Sequence, residues 1–336
     1  MRENTSTEWV NKEVDSEGNF NRQKNQFETP FGEGEGKLPV EPGRYRLLWA
    51  PVCPWAHRSV IVRRLLGLED VISLGTADPK RPDVPRSDWA FTLDEGDVDP
   101  VLGIHYISEA YLAADPDYTG RFTVPALVDI PSGKVVNNDY FNLTLYFETA
   151  WKPYHKAGAP DLYPEELRKD IDEMNDWLFD NINNGVYKTT FCRSKEAYWD
   201  AYNSFYAAMD LLEERLENQR FLFGDYVTDS DVRLYVTLAR LDIRYTHQLG
   251  HTKHPLFTYK NLWAYARDLY QIPAFKNNTY FKDFANPDNK KKGRTFESFN
   301  ARFLDEIDFD AYWGAPHNRA RLSSDPGNKF KTEKQD

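Results

Sequence analysis

The stretch WAPVCPWAHRSV, residues 49–60, holds one of the two cysteines in the chain. It reads as the end of a strand, a Cys-Pro turn and the start of a helix. Proline is favoured at the first helical position, where its missing N–H would be unpaired in any case. A dithiol redox loop carries a second cysteine three residues on, but here that position is Ala56. Whatever chemistry Cys53 performs, it has no thiol beside it in sequence.

Working outward from this loop, RYRLLWA (44–50) is a short apolar strand, and SVIVRRLLGLED keeps helical spacing as far as Gly67. VISLGTA reads as a second strand and IHYISEAYLAA (104–114) as an amphipathic helix. FTVPALVDIPSGKVVNND reads as a hairpin, with strands over 122–130 and 134–137 around a Pro-Ser-Gly turn, and helix resumes over 139–151. The order β-α-β-α-β-β-α is the thioredoxin order. In that fold a cis proline faces the active-site loop, and Val124-Pro125 stands where it is needed. From about 164 to 285 only helical periodicity is found. There, VTDSDVRLYVTLAR offers Thr228 as a cap, Asp231 to reach back to it, and Val227 with Val232 as a hydrophobic staple. A mixed α/β domain joined to an all-helical one is the glutathione transferase plan. The expected organisation is an N-terminal extension (1–40) draped over its neighbouring domain, a thioredoxin-like domain (41–155), a helical domain (156–285) and a C-terminal extension with an insertion (286–336). That last part should pack through FLDEIDFDAYWG and end in disorder.

Composition narrows the function. The 336 residues carry 42 Lys+Arg against 53 Asp+Glu, a net charge of −11. That balance argues against a nucleic-acid or anionic membrane surface, both of which call for basic patches. The run NKKKGR, around Lys290–Lys292, reads as a solvated loop. No apolar run reaches the ~20 residues of a membrane span, and the polar N-terminus lacks the apolar core of a secretion signal. Two distant cysteines make no disulfide framework, so the expected setting is the reduced cytoplasm. His247, His251 and His254 have a ligand-like spacing, but Gly250 and Pro255 interrupt any shared helix face, and no metal is expected.

A cysteine at a helix N-terminus meets free N–H groups and a partial positive charge, both of which favour the thiolate. His57 and Arg58 stand in the first turn, where either can add positive charge or face away. Thiolate attack on a sulfur leaves a mixed disulfide, which only an outside thiol can then resolve. Cys192 belongs to the helical region and to no motif, and reads as an incidental cysteine.

CPWAHRSVIVRRLLGLEDVIS, DPVLGIHYISEAYLAADPDYTGRFTVPALVD, NNGVYKTTF, RFLFGDYVTDSDVRLYVTLARLDIRY and PLFTYKNLWAYARDLYQIP together resemble the Xi-class glutathione transferases, the glutathionyl-hydroquinone reductases, from about residue 41 to 283. The resemblance implies that Cys53 attacks the sulfur of a glutathionyl-hydroquinone and that a second glutathione frees the enzyme. It implies no bound cofactor, with glutathione or another small thiol as co-substrate, an aromatic quinone-derived substrate, and a homodimer. By position it assigns Trp89, Arg121, Phe122, Thr123, Val124 and Pro125 to glutathione. Tyr187 becomes the proton donor to the departing aromatic carbon, and Tyr245 a thiolate-stabilising group. A phenol suits both tasks, since it donates a hydrogen bond at neutral pH and packs on a flat ring. Two departures stand out. The family's Asn-Asn-Glu-Ser is NNDY here, so Asp139 and Tyr140 replace the pair that anchors the γ-glutamyl end. The backbone N–H groups at the start of the next helix remain as an alternative anchor. The family's C-terminal tyrosine segment is reduced to DAYWGAPH, where Tyr312 is the nearest candidate for a second thiolate-stabilising tyrosine. Two other readings remain: a broader omega-like thiol transferase or dehydroascorbate reductase, and a non-catalytic binding module.

Overall fold

All five residues of β1, Tyr45–Trp49, are buried, as befits a strand inside a sheet. β2 (Ile72–Thr76) lies parallel to it, pairing Tyr45 with Ile72 and Trp49 with Thr76. β3 (Ala126–Asp129) runs antiparallel on the other side and β4 (Lys134–Asn137) completes the order β2-β1-β3-β4. A parallel pair needs a crossover, and α1 (Pro54–Leu66) lies within it. Gly67 ends α1 in the left-handed region at φ 75°, its N–H on the Arg63 and Arg64 carbonyls.

The computed structural model describes residues 12–82, 88–250, 253–285 and 306–332. The chain forms two compact units. The first comprises Met1–Glu13 with Arg22–Ala159, and the second Val14–Asn21 with Pro160–Asp336. The first is the four-stranded sheet with its helices and the second is helical, so the fold is that of a glutathione transferase. No helix among the described residues is long and apolar enough to cross a membrane.

Within the first unit, three boundaries differ from those read in sequence, each for a local reason. Helix α2 runs Ile107–Ala114 rather than from 104, because Glu109 Oε1 reaches back to accept from the N–H groups of His105 and Tyr106, both at 2.8 Å. The strand expected over 122–130 starts only at Ala126; Pro125 has no N–H to give to a ladder, and the Val124–Pro125 bond is cis. The helix expected over 139–151 shrinks to α3 (Leu143–Glu148), because Asp139 Oδ1 accepts from the N–H groups of Phe141 and Asn142 and holds the chain in a turn. The extension drapes over this unit through residues 22–29. Phe27 O accepts from Asn138 N at 2.8 Å, and Glu28 bridges to Asn137 at the β4 edge.

In the second unit, α4 (Arg168–Leu178), α5 (Gly185–Phe191), α6 (Lys195–Arg215), α7 (Asp229–Arg240), α8 (Thr246–Leu249) and α9 (Lys260–Tyr270) answer the helical periodicity. The Thr228–Asp231 capping box forms, and Val227 and Val232 are fully buried. Periodicity did not foresee two π turns, Phe179–Asn183 after α4 and Leu241–Tyr245 after α7. The C-terminal segment packs through Trp313, whose ring lies 4.8 Å from Trp263 and 5.0 Å from Phe281. Residues 319–332 are built into the unit: Arg319 is buried and donates to the carbonyls of Leu216 and Arg220, and the Lys331 carbonyl accepts from Asp161 N; the expected disordered end, past residue 332, lies outside the described residues. Lys290–Lys292 and His251 lie outside the described residues.

Candidate active site

Cys53 is the residue immediately before α1, and Pro54 fills the first helical position. The half-buried sulfur does not cap the helix. Instead Sγ donates to the Val124 carbonyl oxygen at 3.3 Å. The resting thiol therefore faces the residue before the cis proline. A thiolate has no proton to donate to that oxygen, and the favourable direction for its charge is the N–H groups of the first turn of α1. His57 donates its backbone N–H to the Cys53 carbonyl at 3.0 Å. It is fully buried and lies against Trp49, ring centroids 6.4 Å apart. Arg58 is also buried and donates to the Tyr140 carbonyl, with its guanidinium carbon 5.2 Å from the Trp55 ring centre.

The segments that the resemblance assigns to glutathione gather in the same unit. Phe122 is buried against Tyr111 and Tyr118. Thr123 O accepts from the Tyr111 hydroxyl at 2.8 Å. Trp89 is buried, with the Arg81 guanidinium carbon 4.0 Å above its ring, and its indole N–H has no acceptor among the described residues. Arg121 is not the open cation its assignment suggests. Its Nε and Nη2 donate to the two oxygens of Glu13 at 2.9 and 3.2 Å, and its backbone N–H donates to Gln23 Oε1.

The NNDY departure also resolves differently from its reading. Asp139 Oδ1 accepts from Phe141 N, Asn142 N and Asn25 Nδ2, and Oδ2 from Asn142 Nδ2 at 2.7 Å. A side chain one methylene shorter than Glu folds back on its own backbone two and three residues on. The carboxylate is thus a cap, and the N–H groups expected as an alternative anchor are taken: those of Phe141 and Asn142 by Asp139 Oδ1, that of Leu143 by the Asp139 carbonyl. The Tyr140 ring lies 4.9 Å from Trp55, and the Arg22 guanidinium carbon is 4.6 Å from the Trp55 ring centre. Burial pushes the Tyr140 phenol up, with Arg22 and Arg58 opposing. Glu13, Arg22, Gln23 and Asn25 escaped the sequence reading because the extension has no periodicity from which a contact can be inferred.

In the second unit, Tyr187 on α5 and Tyr245 at the end of the second π turn come together edge to face, centroids 6.1 Å apart, and share a hydrogen bond. Tyr245 is buried, and burial first, then neighbouring Tyr187, holds its phenol protonated well beyond the ordinary range. Tyr312 is placed differently: 48% exposed, it lies 4.9 Å from Trp263. Cys192 ends α5, its thiol donating to Thr189 O at 3.2 Å, and burial pushes that thiol up and away from nucleophilic use. No group of three His, Cys, Asp or Glu side chains that could hold a metal occurs among the described residues; His254 stacks edge-on against Tyr259.

Family models for the glutathione S-transferase N-terminal and C-terminal domains match residues 52–150 and 193–268. The chain is 35% identical over 278 residues to the glutathionyl-hydroquinone reductase YqjG of Escherichia coli, covering 80% of this chain and 84% of that protein. A glutathione transferase structure from Gordonia bronchialis aligns at 41% identity and TM-score 0.75, covering 87% of this chain and 90% of that one. The Xi glutathione-S-transferase of Phanerochaete chrysosporium aligns at 36% and 0.75, covering 81% and 88%. The fold and the two matched domains define a glutathione transferase-like enzyme. Within that class the chain belongs to the Xi-class glutathione transferases, the family of the glutathionyl-hydroquinone reductases.

Proposed function

We propose that this enzyme is a glutathione-dependent reductase that cleaves glutathionyl-hydroquinones through a mixed disulfide on Cys53. The observation that carries the reading is the solitary thiol before α1, its Sγ 3.3 Å from Val124 O, in a loop whose would-be second cysteine is Ala56. The Cys53 thiolate attacks the glutathionyl sulfur and breaks its bond to the aromatic carbon. The bonding pair passes to the ring, which takes a proton and leaves as hydroquinone. A second glutathione thiolate then attacks the Cys53–glutathione disulfide and releases oxidised glutathione. Overall, the conjugate's own sulfur and that of the incoming glutathione each lose one electron, the aromatic carbon gains both, and Cys53 is returned as it began.

Tyr187 supplies the ring proton. Tyr245, kept neutral by burial, hydrogen-bonds to Tyr187 and serves the thiolate through its phenol. Trp89 and the Arg121–Pro125 segment bind the thiol, with the indole N–H of Trp89, which has no acceptor among the described residues, as a donor; Asp139 and Tyr140 shape this site as cap and packing group. Glutathione and a quinone-derived aromatic are the ligands, and the homodimer and cytoplasmic setting are part of the same proposal.

The test is glutathionyl-menadione with excess glutathione, measuring release of the reduced quinone. Cys53→Ala should abolish turnover, and Cys192→Ser should leave it intact. Turnover surviving in Cys53→Ala sinks the mechanism. Reduction of small disulfides or dehydroascorbate without cleavage of the conjugate makes the protein an omega-like thiol transferase. Binding without turnover makes it a non-catalytic module.

A further inference from the structure

Helices α4 and α7 run side by side in the same direction and are joined by buried side chains at two levels. At the first, Asn175 Nδ2 donates to Asp229 Oδ2 at 2.9 Å, and Ser230 Oγ donates to Asn175 Oδ1 at 2.7 Å. At the second, Asn183 Nδ2 donates both to the Arg233 carbonyl and to Thr237 Oγ1, each at 2.8 Å. Those two acceptors are four residues apart, so the amide spans one turn of α7. The carbonyl acceptor also fixes which way the amide faces, since Oδ1 in the same place would oppose another oxygen.

Asn183 is 5% exposed, and its Oδ1 has no hydrogen-bond donor among the described residues. Leaving a buried acceptor unmatched is destabilising, so this amide is a poor choice for stability alone. Its position suggests another use. Asn183 is the last residue of the first π turn, four before Tyr187; the second π turn begins four residues after Thr237 and ends at Tyr245. A π turn adds one residue to a helical turn and rotates every later residue by roughly 100°. Where the two phenols meet therefore depends on how α4 and α7 are phased at the level just before them.

We propose that Asn183, acting through Thr237 and the Arg233 carbonyl, is the positioning residue of the Tyr187–Tyr245 phenol pair. It touches neither ring as a catalytic group, and it sets the rotation and rise at which each helix delivers its tyrosine. The catalytic part of this inference rests on the proposed reductase reading; the geometric part does not.

The test uses the full chain with Thr237→Val, which keeps shape and loses the acceptor, Thr237→Ser, which keeps the hydroxyl, and Asn183→Ala. On glutathionyl-menadione, Thr237→Val and Asn183→Ala should lower kcat by about ten-fold while KM for glutathione holds. Thr237→Ser should recover kcat to within about two-fold. In a Tyr187→Phe background Thr237→Val should cost nothing further, because the pair it positions is gone. Absorbance at 295 nm should show one more tyrosine ionising before unfolding in Asn183→Ala than in the parent. Unchanged kcat in Thr237→Val and Asn183→Ala, or an equal loss in the Tyr187→Phe background, overturns the catalytic role. If the parent protein cleaves no conjugate, the reductase reading fails by itself, and the titration decides the positioning: an unchanged tyrosine count overturns it.

Discussion

At the scale of single residues, Asp139 shows how one methylene redirects a side chain. Its carboxylate takes four donors, two of them the N–H groups of Phe141 and Asn142 in the turn that leads into α3. Asp139→Ala should therefore cost about 1–2 kcal/mol, the usual loss of a capping side chain. Asp139→Asn, which retains the accepting oxygen, should cost less. Urea unfolding of the two variants measures this, and an Asp139→Ala midpoint equal to the parent's would show the cap to be idle. Tyr140 acts on the same scale. Its ring packs on Trp55, two residues after Cys53, where the family carries a compact hydroxyl.

At the scale of elements, the two extensions are structural members. The N-terminal one meets Arg121, Asn137, Asn138 and Asp139 in turn, through Glu13, Glu28, Phe27 and Asn25. The C-terminal one inserts Arg319, whose guanidinium donates to the carbonyls of Leu216, Gln219 and Arg220. These carbonyls belong to the irregular connection that follows α6, which has no helical ladder to satisfy them. Nearby, Asp268 pairs with Arg220 and Lys329; burial alone would raise its carboxyl, but the hydrogen bond from Arg220 and the charge and hydrogen bond of Lys329, with the charge of His317, outweigh it and hold it low. Arg319→Ala should lose on the order of 2–3 kcal/mol, because it strands several buried carbonyls at once. Calorimetry that finds the variant as stable as the parent would mean that water serves those carbonyls equally well.

At the scale of the whole molecule, the protein is rich in buried phenols. Tyr111, Tyr235, Tyr245 and Tyr265 are all fully buried, and burial is the first cause raising each of them. An unfolded chain gives up its phenolic protons near pH 10, while these four keep theirs in the folded state. Above about pH 10 the unfolded chain then binds fewer protons than the native one, so stability falls as pH rises. Thermal midpoints should be level at neutral pH and decline beyond that point, and the last tyrosines should ionise together with loss of the far-ultraviolet helical signal. Full ionisation at 295 nm in a protein that is still folded would contradict this account.

The glutathione transferase architecture could be read from the chain because its signals are local. Pro54 opens a helix, Gly67 closes it, Thr228 and Asp231 cap another, and past the domain border the mixture of strand and helix spacing gives way to helix spacing alone. The solitary thiol at Cys53 was legible for the same reason, since Ala56 is its neighbour in sequence. The rest depended on groups far apart in the chain. Asp139 found its donors in its own turn and in Asn25, and Arg121 found Glu13, 108 residues away. The π turns that bring Tyr187 to Tyr245 leave no trace in hydrophobic period, because a single inserted residue changes the face of every later one. Sequence alone determined the main elements and which cysteine stands by itself before a helix, since those depend on propensity and spacing. Only the tertiary structure decided which carboxylates, amides and phenols face one another, because burial and pairing depend on packing that no local pattern encodes.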